Sequence, residues 1–148
     1  MKATQMLMKD HRKVEKIIET LLETTAQSRV KRKELLASLK EELQLHEKLE
    51  EDLFYPRLKT GQDKEMILEA YQEHHLVDVL LAELEDTKVN DETWKAKLTV
   101  LKESLSHHIE EEENEIFPRA EEKLGEEKLN AIGEQIKAAK QKQAVSVQ

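Results

Sequence analysis

The feature that most constrains this sequence is one helical pattern that occurs twice. His46 is followed four residues later by Glu50, and His108 is followed four residues later by Glu112. A proline comes six residues after each glutamate, so that the whole pattern repeats at an offset of 62 residues. Residues four apart lie on the same face of a helix, which puts each histidine beside its glutamate. The repeat predicts two similar helical halves.

Apolar residues recur at helical spacing along nearly all of the 148 residues. The pattern predicts four long helices and a shorter fifth helix after Gly125, with approximate bounds 4–26, 30–59, 63–87, 90–118 and 126–139. Short polar connections between long helices favour an all-α, up-down-up-down four-helix bundle. We expect residues 1–140 to form this bundle from two pseudo-repeated hairpins, 1–59 and 63–119. Residues 141–148 are predicted to be a flexible tail.

Composition excludes several classes of protein. The net charge of -8 argues against a nucleic-acid partner, which would require a basic patch. The absence of cysteine excludes disulfides, iron–sulfur clusters and thiolate zinc sites. The chain has no apolar run long enough to span a membrane and no apolar signal core near its first residue. We therefore expect a cytoplasmic protein without a membrane partner.

Each of the four long helices has a histidine on the face that otherwise carries apolar residues: His11, His46, His74 and His108. Counting from the predicted helix connections at ~1.5 Å per residue places these histidines, and the two glutamates of the repeat, at a common height. On the first two helices that height is roughly 25–33 Å from the connecting loop. An antiparallel bundle would bring the six side chains into one buried layer.

Such a layer favours a metal centre, because an unpaired ionised carboxylate is costly in an apolar core and two facing carboxylates repel each other. One buried histidine is more often an ordinary core residue, but four in register are hard to explain that way. Six ligands exceed the four of a tetrahedral zinc site. They suit two ions, each held by two histidines and bridged by Glu50, Glu112 and a solvent oxygen. Nitrogen and oxygen ligands favour iron over manganese or zinc. Five donors for each octahedral iron would leave a position open for a small ligand.

Nearby side chains are open to two interpretations. Glu15 and Asp78 each follow a core histidine by four residues, and could add a carboxylate ligand or hydrogen-bond an imidazole. Tyr55 could reach the centre, although packing near the bend at Pro56 is the expectation we adopt. Four side chains lie off the inward face and are expected outside the ligand set: His75 and His107 at the surface or beside a ligand, and Glu51 and Glu113 in solvent. A pocket for a small molecule is predicted between Val14, Leu43, Val77 and Leu105.

Taken together, these residues resemble the bacterial hemerythrin-like proteins of the histidine-histidine-glutamate (HHE) cation-binding domain type, over about residues 4–140. The matching segments are Asp10-His11, His46-x-x-x-Glu50-Glu51 through Phe54-Tyr55-Pro56, Glu73-His74 through Leu81-Ala82-Glu83-Leu84, and His108-x-x-x-Glu112-Glu113 through Phe117-Pro118. The resemblance implies a bundle that holds two iron ions bridged by carboxylates and an oxo or hydroxo group. Family members bind dioxygen or nitric oxide, sense redox state, or store and handle iron.

The sequence departs from the oxygen-carrying hemerythrins at Asp78, where those proteins have a second histidine on the third helix. The resemblance then implies a more open site, suited to reaction or sensing rather than to reversible oxygen transport. The expected ligand is a diatomic gas or a peroxide, and a signalling role would need a protein partner. The alternative is a small di-iron oxidase or peroxidase at the same site, so that catalysis remains an open question at this point.

Overall fold

The computed structural model describes residues 1–147, and the side chains of residues 1–144. Five helices follow one another along the chain: α1 (Ala3–Leu22), α2 (Arg29–Leu49), α3 (Lys64–Glu85), α4 (Trp94–Glu111) and α5 (Phe117–Val147). Helix α1 packs against α2, α4 and α5, and α3 packs against α2 and α4. The predicted all-α bundle is confirmed. No helix within residues 1–147 has the length and apolar character needed to cross a membrane.

Helices α2 and α4 do not continue as regular α-helices to Pro56 and Pro118, near which the sequence predicts them to end. Each passes into a π-helical turn whose first residue is the glutamate of the repeat, at Glu50–Phe54 and at Glu112–Ile116. In both turns the backbone N–H five residues on donates to the carbonyl of that glutamate. Short π-helical segments of this kind occur often at functional sites. After the first turn the chain forms a 3₁₀ turn, Tyr55–Arg57.

The C-terminal helix differs from the predicted short fifth helix. Helix α5 is 31 residues long and starts at Phe117, with a kink at Gly125, where φ is 79°. Proline is tolerated in the first turn of a helix, which explains why Pro118 does not end this one. Helical backbone continues to Val147, past residue 140 where the sequence predicts a tail to begin. Gln148 lies outside the described residues.

Two apolar clusters fill the bundle, and a polar layer separates them. One cluster lies towards the α1–α2 and α3–α4 loops and draws its side chains from α1 to α4, including Val14, Leu43, Val77 and Leu105. The other lies around the π-helical turns, and α5 contributes to it. Its larger members are Leu7, Leu49, Phe54, Tyr55, Leu58, Ile67, Ile116, Phe117, Leu129, Ile132 and Ile136. The two clusters isolate the polar layer from solvent at both ends.

At the end of the bundle away from the π-helical turns, Arg32 joins the two loops. Its guanidinium is buried and donates to Thr24 Oγ1 at 2.9 Å and to the Thr24 carbonyl at 3.2 Å. It also donates to the Val89 carbonyl. The same group lies 4.2 Å above the ring of Trp94. One side chain therefore fixes the α1–α2 and α3–α4 connections together.

We expect Arg32→Leu to lower the free energy of unfolding by about 1–3 kcal/mol, because it leaves buried carbonyl groups without a donor. Chemical denaturation followed by circular dichroism measures the change. The neighbouring exposed Lys33→Leu is the control and should have a much smaller effect. Equal stability of Arg32→Leu and wild type would show that the loops do not depend on this network.

Candidate metal centre

The four predicted histidines meet in the buried layer as two pairs. The ring centroids of His11 and His46 are 4.9 Å apart, and those of His74 and His108 are 4.8 Å apart. All four side chains are buried, as the stripe positions predict. The first pair comes from α1 and α2, and the second pair comes from α3 and α4. Each half of the repeat therefore supplies one pair.

Glu50 and Glu112 lie between the pairs and have no exposed surface. Glu50 Oε1 is 3.1 Å from His46 Nε2 and 3.1 Å from His74 Nε2. Glu112 Oε1 is 3.2 Å from His108 Nε2 and 3.0 Å from the Nε2 of His11. Each carboxylate thus contacts one histidine of each pair. This is the arrangement that two bridging carboxylates would need.

The opposite nitrogen of every histidine also meets a carboxylate. The four Nδ1 contacts are His11 with Glu113 at 2.7 Å, His46 with Asp10 at 3.1 Å, His74 with Glu51 at 2.7 Å, and His108 with Glu73 at 2.7 Å. A carboxylate at Nδ1 holds the proton there and orients the ring, which leaves Nε2 free to act as a ligand. All four Nε2 atoms point towards Glu50 and Glu112.

The expectation that Glu51 and Glu113 are only solvent-facing is wrong. Both are partly buried and each contacts a histidine of the other hairpin. The sequence does contain a signal for these contacts. Glu51 and Glu113 are separated by the repeat offset of 62. The other two Nδ1 partners, Asp10 and Glu73, directly precede His11 and His74 in the sequence.

Tyr55 lies inside the centre and is not merely packed at the bend, as predicted. Its hydroxyl donates to Glu112 Oε2 at 2.7 Å and to Glu50 Oε1 at 3.3 Å. Burial, reinforced by the charges of these two carboxylates, raises the pKa of Tyr55 well above its usual value, which keeps the phenol protonated. The residue 62 positions later is Phe117, which stacks on His11 and lacks a hydroxyl. The hydroxyl therefore breaks the twofold symmetry of the centre.

A cavity adjoins the histidines on the side of the α1–α2 and α3–α4 loops. It is lined by all four residues predicted for the pocket, and additionally by Glu47 and Ile109. Its volume of about 10 Å³ corresponds to room for roughly one water molecule. Burial and the neighbouring Asp78 raise the pKa of Glu47 to about 9. Glu47, which helical spacing did not single out, thus places a protonated carboxyl among the histidines and apolar side chains that line the cavity.

The remaining residues considered near the predicted ligands lie outside the buried layer. Glu15 pairs with Arg12 at 3.2 Å and does not approach the histidines. Asp78 is exposed and hydrogen-bonds Glu47 rather than an imidazole. His75 is exposed on α3. His107 is exposed on α4 and lies 3.6 Å from Glu73 Oε2, beside the Nδ1 partner of His108.

Opposite charges dominate the electrostatics of the layer. Burial alone would lower the pKa of His108, but attraction to Glu112 and hydrogen bonds to Glu112 and Glu73 raise it to about 10. The pKa of His46 is likewise raised well above its usual value despite burial, chiefly by Glu50. Burial opposes ionisation of Glu112, yet His108 holds its pKa well below the usual range. The two glutamates therefore favour positive charge around them.

The donor set fits a metal centre better than a self-contained hydrogen-bond network. Glu50 Oε2 is buried without a hydrogen-bond partner, and His46 Nε2 forms no hydrogen bond even though it lies 3.1 Å from Glu50 Oε1; buried polar atoms are normally satisfied. One group of potential ligand atoms comes from His11, His46, Glu50 and Glu112, and a second from Glu50, His74 and His108. Within each group the atoms lie within 4.8 Å of one another. Imidazole and carboxylate together suit first-row transition ions.

Comparison with known proteins gives a consistent result. Residues 2–120 match the hemerythrin HHE cation-binding domain. The crystal structure of an HHE cation-binding domain-containing protein from Mycobacterium kansasii superposes with a TM-score of 0.86 at 26% identity, and covers 96% of this chain and 86% of that one. A hemerythrin-like protein of Schizosaccharomyces pombe is 37% identical over 89 residues, which are 58% of this chain and 44% of that protein.

A DNA nickase from a Nostoc strain is 22% identical over 142 residues, 96% of this chain and 40% of the nickase. The chain thus spans less than half the length of either curated relative it matches. The domain match, by contrast, extends over most of this sequence and contains all four buried histidines. The chain therefore belongs to the hemerythrin HHE cation-binding domain family.

Proposed function

We propose that the buried layer holds two iron ions, one between His11 and His46 and one between His74 and His108, with Glu50 and Glu112 shared between them. The observation that carries this proposal is the contact of each fully buried glutamate with one histidine of each pair. The oxygen and nitrogen donors favour iron, with manganese and zinc as weaker candidates.

The proposed function is the binding of a small oxidant or gas, such as dioxygen, nitric oxide or a peroxide, for sensing, storage or iron handling. Iron would supply redox chemistry and affinity for these ligands. The chain supplies a small, mainly apolar cavity beside the four histidines, with space for about one water-sized molecule.

Protein isolated aerobically should contain two irons per chain and show charge-transfer absorption of ferric iron. An equally stable protein without metal would contradict the proposal.

Glu50→Ala and Glu112→Ala should each lower the iron content by at least one ion per chain, because each removes a shared carboxylate. Elemental analysis of the purified variants measures this loss. Exposed Glu110→Ala on α4 is the matched control and should retain both ions. Retention of two irons in either buried-site variant would refute the bridging role.

Metal-dependent stabilisation should increase with pH. In the metal-free fold the pKa of His108 is about 10, above its ordinary 6.5. A raised pKa stabilises the fold fully below pH 6.5, and this contribution is lost as the pH rises towards 10. Metal binding instead requires neutral imidazole and is favoured as the pH rises. The increase in melting temperature on adding ferrous iron anaerobically should therefore be larger at about pH 8 than at about pH 6.

Differential scanning fluorimetry of the metal-free and reconstituted protein provides both melting temperatures. The control is the His46→Ala/His108→Ala double variant, which lacks one histidine of each pair and should show little dependence on metal at either pH. A metal-induced shift that is the same at both pH values would contradict competition between protons and ions at these histidines.

One specific feature favours a second candidate function, the decomposition of peroxide. The Tyr55 hydroxyl donates to both glutamates, and protonated Glu47 lines the cavity, so that two buried proton donors flank the site. Converting two molecules of hydrogen peroxide to dioxygen and two of water requires proton transfer but no added reductant. A catalytic role would make these two side chains the ones that move protons to and from the bound molecule.

Tyr55→Phe should lower peroxide turnover by at least about tenfold, within the range expected for loss of a general acid. It should retain iron, because the phenol is a hydrogen-bond donor in this account and not a ligand. Oxygen evolution and iron content are measured on the same samples. Wild-type protein with two irons and no turnover above free iron would leave the binding function and exclude the enzymatic one.

The cytoplasmic location and a signalling partner remain predictions.

A further inference from the structure

A second group of potential metal ligands lies outside the buried layer, on the surface between α3 and α4. It consists of Glu73 from α3 and of His107 and Glu111 from α4, which are again a histidine and a glutamate four residues apart. Their ligand atoms lie within 4.8 Å of one another. Glu73 and Glu111 are partly buried, whereas 73% of the His107 side chain is exposed.

The imidazole of this group lies too far from the two carboxylates for hydrogen bonds, whereas Glu73 and Glu111 share one with each other. His107 Nε2 is 3.6 Å from Glu73 Oε2 and 3.5 Å from Glu111 Oε2. Both separations exceed the 2.7–3.2 Å of a normal N–H···O hydrogen bond. Two ligands at about 2.1 Å from one tetrahedral ion are about 3.4 Å apart. An ion could therefore bind between these three groups with little movement of the side chains, in place of the hydrogen bond between the two carboxyl groups.

Glu73 is held in place for such a role. Its other oxygen, Oε1, accepts a hydrogen bond from His108 Nδ1 at 2.7 Å, which directs Oε2 towards His107. The carboxylate is thus oriented from the buried side by a residue of the metal centre. The surface side of Glu73 faces Glu111, to which it is hydrogen-bonded, and His107.

The internal repeat provides an independent reason to expect a cation here. Asp10 is the counterpart of Glu73 and contacts His46 through Oδ2, while its outer oxygen binds the Lys140 ammonium at 2.5 Å. No lysine or arginine pairs with Glu73 among the residues whose side chains are described. Its outer oxygen faces His107 and a second carboxylate, Glu111, instead. One half of the repeat therefore has a built-in cation where the other half has three ligand groups.

We propose that Glu73, His107 and Glu111 bind one divalent first-row transition ion at the surface, separate from the ions of the buried layer. The imidazole disfavours magnesium and calcium, which prefer oxygen ligands alone. Glu73 would connect this ion to His108 through its hydrogen bond. The surface site would therefore lie next to the buried centre but have no ion in common with it.

Zinc binding to the isolated protein tests this proposal. Wild type, His107→Ala and Glu111→Gln are titrated with Zn²⁺ at neutral pH by isothermal calorimetry, and bound metals are counted by elemental analysis. Wild type should bind one more zinc ion per chain than His107→Ala at the same free concentration. Glu111→Gln should weaken that additional site at least tenfold. Circular dichroism confirms folding, which should be unaffected because His107 is exposed.

His75→Ala is the matched control, since it removes an exposed histidine from α3 and should bind as many ions as wild type. The count is a difference between variants, so it does not depend on which ions the buried layer contains. Equal zinc counts in wild type and His107→Ala would overturn the proposal. A loss in His75→Ala as large as that in His107→Ala would also overturn it, because the binding would then be nonspecific.

Discussion

The structure depends on the neutralisation of two carboxylates that have no contact with water. Glu50 and Glu112 lie between two apolar clusters, and each contacts a histidine from either side. An ionised carboxylate there would be strongly unfavourable alone, and two would repel each other. Four imidazoles and one phenol surround them, and metal ions would complete the neutralisation.

A duplicated hairpin accounts for most of this centre, but the two halves have diverged at functionally relevant positions. The Nε2 and Nδ1 contacts follow the repeat, whereas three pairs of equivalent residues differ: Tyr55 and Phe117, Glu47 and Ile109, and Asp10 and Glu73 in their outer partners. As a result, one phenol, one protonated acid and one ammonium group are distributed unequally. The two proposed ion positions therefore have different surroundings, and a small ligand would encounter an asymmetric site.

Helical periodicity was enough to predict the bundle and the six residues of the layer, because a residue at an inward position of a regular α-helix must face the core. It failed where the helices are not regular. The π-helical turns place the residue five positions on against the glutamate carbonyl, which brings Tyr55 over Glu50. The same change in winding turns Glu51 and Glu113 towards the histidines. Regular α-helical spacing does not predict these contacts, and the repeat offset of 62 is the signal that links Glu51 with Glu113. The end predicted at Pro118 overlooked that proline is tolerated in the first turn of a helix.

The most direct measurement is a crystal structure of the protein as isolated, with anomalous diffraction recorded on both sides of the iron absorption edge. We expect two iron peaks in the buried layer, one between His11 and His46 and one between His74 and His108, each next to Glu50 and Glu112. A layer without a peak, or one closed by direct contacts among the same six side chains at full occupancy, would contradict this account.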